Sequence, residues 1–212
     1  MPPSPLQLLD HLQAWEAYLA DHDADVLLQC AVVHAQFELI HPFKDGNGRI
    51  SRLLIPLFLY QKRALASPMF YLSDYLEGHR EAYYAHLQAI SRDGDWSGWI
   101  AFFLEAVTQQ ALNNTGRVRA MMTLYVDMKR RITELTRSQH AMAVLDALFD
   151  RPIFQSGDFV QRSGIPKQSA LPFLRTLREA GVLQVLRESS GRRSAVLAFR
   201  DLLNCAEGRE IL

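Results

Sequence analysis

From His41 to Arg52 the chain reads His-Pro-Phe-Lys-Asp-Gly-Asn-Gly-Arg-Ile-Ser-Arg, a stretch holding a candidate base, a candidate metal ligand, a glycine turn and two arginines. Gly46 and Gly48 tolerate positive φ, so the backbone is expected to close into a tight loop whose N–H groups converge on an anion. The apolar run that follows, with Leu53, Leu54, Ile55, Leu57, Phe58 and Leu59, reads as a buried helix beginning at that loop. Free N–H groups and the positive end of the dipole there favour a phosphate, and Arg49 and Arg52, three apart, add two guanidinium forks. Pro42 disfavours the α region at His41, which should stop the preceding helix and leave the imidazole at the loop's rim. Asp45, the carboxylate inside the loop, is an oxygen ligand suited to Mg²⁺ on that phosphate. Group transfer from a nucleotide is the chemistry this set suits.

The elements that must position these residues read as helices. Leu9, Leu12, Trp15, Ala17 and Leu19 give helical spacing over 6–20, and an acidic loop, Asp21 to Asp25, leads to a second helix over 26–40. That helix carries His34 and Glu38 at i, i+4, and Glu38 with His41 makes a Glu-x-x-His pair. A di-iron bundle would need a second copy, and Glu77-Gly78-His79 has the wrong spacing, so the di-metal reading is set aside. Pro56 should kink the helix after the loop. Ser73 or Asp74 is expected to cap a helix reaching about Ile90, and another runs from about Trp96 to Asn113 with Trp99, Ile100, Phe102 and Phe103 in a core.

With these residues in place, the chain resembles the Fic (Fic/Doc) family, whose motif H-x-F-x-D/E-G-N-G-R-x-x-R is matched at every specified position. The likeness extends to Ala35-Gln36-Phe37-Glu38 before the motif and to Tyr71-Leu72-Ser73, His79-Arg80, Tyr83-Tyr84 and Gly94-Asp95-Trp96 after it. The resemblance implies a helical Fic core and a protein adenylyltransferase, moving AMP from ATP to a hydroxyl side chain of a protein target. It implies His41 as general base, Asp45 as Mg²⁺ ligand, and Gly46, Asn47 and Gly48 as the phosphate cradle. Arg49 and Arg52 would hold the phosphate chain, with Arg52 on the γ side, and Phe43 would anchor the loop in the core. Ser73-Asp74-Tyr75-Leu76-Glu77-Gly78 satisfies the short pattern by which such proteins inhibit themselves, but it falls inside the ordinary post-motif segment and reads as accidental. Fic enzymes usually carry a target-aligning hairpin flap just before a proline-rich stretch like Pro2-Pro3-Ser4-Pro5, and many carry an inhibitory helix further upstream. This sequence starts after both, so the expectation is binding of Mg²⁺–ATP with slow, poorly selective transfer.

Asn113-Asn114-Thr115-Gly116 breaks the helical pattern, which sets expected bounds of 1–115 for the Fic core, 116–138 for a charged connecting helix and 139–212 for a second domain. There, helices to Asp150, around 157–161 and from about Gln168 to Ala180 precede two strands flanking Glu188-Ser189-Ser190-Gly191-Arg192-Arg193. Helix-turn-helix plus hairpin resembles a winged helix, so the expected fold class is mainly α with a small α+β domain. The expected recognition helix offers Lys167, Gln168, Arg175 and Arg178 but also Glu179, and the wing offers Arg192 and Arg193; these could touch DNA phosphates, while the same fold also serves as a protein-docking or homodimer unit.

Lysine plus arginine equals aspartate plus glutamate at 23 each, so no global field draws the chain to nucleic acid or membrane and any such binding must be local. Cys30 and Cys205 form neither a metal spacing nor a disulfide framework, which suits a reducing compartment. The start lacks the regions of a signal peptide, and the longest apolar run is too short to span a bilayer, so a cytoplasmic location without membrane contact is expected. The competing reading is a DNA-binding or scaffold regulator in which the Fic core senses a nucleotide.

Overall fold

The computed structural model describes residues 3–21, 25–191 and 193–212. Pro2, the middle of the acidic loop and Arg192 at the hairpin tip, all named above, lie outside the described residues. Asp25 starts the central helix: its carboxylate accepts the N–H groups of Leu27 at 2.8 Å and Leu28 at 3.1 Å, capping α2 (Val26–Ile40). Cys30, Ala31, Val33, His34, Ala35, Phe37 and Ile40 are all buried, a distribution that suits only an interior helix. α1 (Leu8–Ala20) packs against it, with Trp15 Nε1 donating to Val33 O at 2.9 Å. Buried Gln29 donates to Tyr18 O and Asp21 O at 2.7 and 3.1 Å, tying the end of α1 to α2.

α3 (Asn47–Gln61) packs on α2, and α4 (Ser73–Gly78), α5 (Arg80–Asp93) and the first part of α6 (Trp96–Thr136) complete the first core. Trp99 and Phe103 are wholly buried there, and Trp99 Nε1 donates to Ala31 O at 2.9 Å. α3 differs from expectation: Ile55, Pro56, Phe58 and Leu59 face inward, but Leu53, Leu57 and Tyr60 are exposed, so the helix is amphipathic. The single helix expected from Ser73 to Ile90 is two, broken at His79. Leu72, rather than Ser73 or Asp74, holds the cap position of the first. The break follows Gly78, a poor helix former, and the His79 ring turns back to Tyr75 O at 2.9 Å.

Two compact units divide after Asn113. Asn113-Asn114-Thr115-Gly116 nevertheless lies inside α6, since weak formers cost only about 0.5–1 kcal/mol each and helix-favouring neighbours flank them. The segment read as a connecting helix contributes to the second core: Met128 and Ile132 are buried with Val144, Leu145, Leu148, Phe159, Leu177 and Phe199. That unit runs α7 (Ala141–Asp150), β1 (Ile153–Gln155), α8 (Ser156–Ser163), α9 (Lys167–Glu179), β2 (Gln184–Arg187), β3 (Val196–Ala198) and α10 (Arg200–Glu207). Its antiparallel sheet has the order β1-β3-β2, pairing Phe154 with Leu197 and Val185 with Leu197. Gly181, at φ 70°, follows the end of α9 as its position predicts, whereas β1 and α10 were not anticipated. No helix among the described residues is long and apolar enough to cross a membrane.

A candidate nucleotide-binding loop between α2 and α3

α2 stops at His41, whose φ of 51° and ψ of 57° are left-handed, with its N–H still bonded to Phe37 O at 3.0 Å. A non-glycine residue held there costs on the order of 1 kcal/mol, and Pro42 bars the alternative of continuing the helix. The turn leaves the imidazole exposed on a cleft of about 480 Å³ lined also by Glu38, Leu39, Tyr84, Leu87, Gln88, Ser91 and Arg92.

Asn47 gives the loop its shape. Buried at the start of α3, it accepts the Phe43 N–H at 2.9 Å and donates to Phe43 O at 2.6 Å, clamping both faces of one peptide position. Phe43, expected to anchor the loop in the core, is instead 49% exposed, with its ring 6.3 Å from that of Phe37. The side-chain amide therefore does the fixing. The two glycines also divide their work: Gly46 caps α3 at φ 85°, but Gly48 is helical and leaves space instead. A Cβ on Gly48 would lie 3.4 Å from Arg52 Nη1 and 3.7 Å from Glu38 Oε1.

Arg49 and Ile50 N–H groups bond to Gly46 O at 3.1 and 3.0 Å, whereas those of Asn47 and Gly48 have no partner among the described residues. Two open donors at a helix N-terminus form an anion site. Arg49 and Asp45 make a loose 3.5 Å pair with both side chains well exposed, an interaction weak enough to release either to a ligand. Half-buried Arg52 has neither an ion pair nor a hydrogen bond among the described residues. Glu77, in the stretch read as an accidental inhibitory match, makes a loose exposed pair with Arg80 at 3.8 Å. No cluster of three or more His, Cys, Asp or Glu that would cage a metal occurs among the described residues. One exposed carboxylate beside a phosphate cradle is nonetheless the donor set Mg²⁺ uses when phosphate oxygens and water supply its other ligands, so Asp45 fits that ion.

Beneath the loop lies a polar network that the sequence reading did not assemble. His34 is fully buried, stacked on Trp99 at 5.9 Å, with Nδ1 3.2 Å from Ser51 O and Nε2 3.0 Å from Tyr83 Oη. A carbonyl only accepts, so Nδ1 carries the proton and Nε2 accepts the Tyr83 hydroxyl. Burial pushes His34 from 6.5 down to about 4, consistent with that neutral form. Burial, and then the Glu38 charge, raise the Tyr83 phenol. Ser51, fully buried, donates its hydroxyl to Glu38 Oε1. The available signal was the i, i+4 pair of His34 and Glu38 on a largely apolar helix.

In the second unit, a cleft of about 380 Å³ lies between α9 and the hairpin, lined by Arg175, Arg178, Arg193, Ser189 and Ser194 among others. Arg175 pairs with Glu179 at 2.8 Å and Arg178 with Glu188 at 3.5 Å. Lys167, Gln168 and Arg193 are exposed. Charge is divided unevenly along the sequence: residues 114–212 hold 16 Lys and Arg against 10 Asp and Glu, and residues 1–113 hold 7 against 13. The balanced total conceals a basic second unit.

The loop and the helix it caps belong to a mainly helical unit, and residues 1–59 match the Fic/DOC family. The chain is 32% identical over 116 residues to the protein adenylyltransferase Fic of Aedes aegypti, covering 53% of this chain and 22% of the mosquito protein. It is 38% identical over 58 residues to a probable protein adenylyltransferase of Aquifex aeolicus, covering 27% of this chain and 18% of the other. The chain thus spans under a quarter of the length of these relatives. A Fic family protein from Desulfovibrio desulfuricans G20 shares the fold at a TM-score of 0.51 and 21% identity, over 94% of this chain and 57% of that one.

Proposed function

We propose that the chain is a protein adenylyltransferase, transferring AMP from ATP to a hydroxyl side chain of a protein. The observation that carries the reading is the convergence of His41, the open N–H groups of Asn47 and Gly48, and unpaired Arg52 on one turn beside a largely apolar cleft. In this reading Gly46, Asn47, Gly48 and Arg49 hold the α- and β-phosphates, and Arg52 meets the γ end. The cleft beside Tyr84 and Leu87 takes the base. Mg²⁺ at Asp45 would neutralise phosphate charge. The target hydroxyl oxygen bonds to the α-phosphorus as His41 takes its proton, and the bond to pyrophosphate breaks. Incubation with ATP labelled at the α-phosphate should mark a target or the chain itself, and His41→Ala should abolish the mark. Label arriving only from the γ-phosphate would mean kinase chemistry instead.

A second reading is favoured by the charge of residues 114–212. Residues 139–212, in the helix-strand-helix-helix-hairpin order of a winged helix, would meet DNA phosphates through Lys167, Arg175, Arg178 and Arg193. Gel shifts of the whole chain should then weaken steeply with salt and with Arg193→Ala. Salt-independent retention, or self-association on sizing without DNA binding, would point to a docking or homodimer role.

A further inference from the structure

We infer that Glu38 is a positioning residue for Arg52, holding that guanidinium ready for the distal phosphates of ATP; the inference rests on the nucleotide reading above. Arg52 is half-buried yet free of ion pairs and hydrogen bonds among the described residues, so no polar contact fixes its guanidinium. Glu38 Oε1 and Arg52 Nη1 nevertheless stand over the same point, the vacant Cβ position of Gly48, at 3.7 and 3.4 Å. Glycine at 48, in helical conformation, leaves that gap open, and a Cβ there would just reach contact with both groups.

The carboxylate is the fixed member of the pair. Ser51 donates to Glu38 Oε1, Ser51 O is in turn 3.2 Å from His34 Nδ1, and His34 reaches Tyr83 at 3.0 Å, so α2, α3 and α5 all bear on where the charge sits. The separation lies inside the screening length of physiological salt, and partial burial weakens screening further. An attraction without contact biases the arginine toward the loop while leaving its donors open. A contacting ion pair would occupy them, and Glu77, the carboxylate of the inhibitory-like stretch, is paired elsewhere with Arg80.

The test is a double-mutant cycle on the full chain, titrating ATP and AMP calorimetrically with Mg²⁺ present. Glu38→Gln keeps an oxygen acceptor for Ser51 and removes only charge. It should weaken ATP about fivefold and leave AMP unchanged, and it should add nothing in an Arg52→Ala background. Ser51→Ala, which frees the carboxylate without discharging it, should give a smaller loss of the same selectivity and serves if Glu38→Gln folds poorly. Equal losses for ATP and AMP, or a loss that persists without Arg52, would overturn the positioning role while the nucleotide reading stands. A wild-type chain that binds neither nucleotide would overturn both.

Discussion

The exposed loop and the buried layer under it contrast in every physical respect. His41, Phe43, Lys44, Asp45 and Arg49 are exposed, and their one salt bridge among the described residues is the loose Arg49–Asp45 pair. One turn away, His34, Asn47 and Ser51 are buried and fully engaged, with Tyr83 and Trp99 packed against His34. Groups that must change partners during a reaction are kept free, and the bonds that hold their geometry are made where water cannot compete. Substitutions below should therefore cost stability, and those above should cost chemistry.

The largest stability effect expected is at Trp99. Trp99→Ala removes a wholly buried ring, its bond to Ala31 O and the surface on which His34 stacks, and should cost about 3–5 kcal/mol in urea unfolding. A loss below about 1 kcal/mol would mean the layer is not the scaffold described here.

His34 makes the layer sensitive to acid. Its folded pKa is depressed from 6.5 to about 4, so the unfolded chain takes up a proton that the folded chain refuses in that window. The contribution is fully present above pH 6.5 and is lost as pH falls toward 4, up to about 3 kcal/mol. Unfolding free energies at pH 7 and 4.5 should show the drop, and His34→Gln should flatten it. An unchanged slope in that variant would assign the acid sensitivity to other groups.

Asn47→Ala should cost about 1–3 kcal/mol, because two backbone groups of Phe43 lose their partner, and should weaken ATP binding as well. Phe43→Ala should cost only about 1 kcal/mol, given its exposure. The reverse order in thermal melts would restore Phe43 as the anchor.

These two residues also show what was legible in the sequence. The limits of α2, the helix start after the glycine loop and the stop at His41 follow from proline, glycine and apolar spacing, which act locally. Phe43 looked like a core residue by type, but burial depends on which partners the fold supplies. Beyond the His34 and Glu38 pair the layer was not legible, because Tyr83 meets His34 across 49 positions and Ser51 occupies an unspecified position of the motif. In the second unit, β1 is too short at three residues to carry periodicity, and Asn113 to Gly116 are breakers in isolation only.

The smallest effect expected is the reverse in sign. His41→Gly relieves about 1–2 kcal/mol of left-handed strain and adds roughly 0.4–1 kcal/mol of unfolded-chain entropy, for a net gain near 0.5 kcal/mol. A melting point at or above wild type, with transfer lost, would place His41 among residues kept for chemistry. A clear destabilisation would make it structural.

The central claim, that the exposed loop transfers AMP while the buried layer only holds it, is tested most directly by intact-mass spectrometry of the chain incubated with Mg²⁺–ATP and a protein acceptor. The wild type should add the mass of one AMP to itself or the acceptor, and His41→Ala, with unchanged melting, should slow that gain by about 10²–10⁴-fold. An AMP adduct that forms as fast without His41, or a wild type that binds ATP yet yields only a phosphate adduct, would contradict the account.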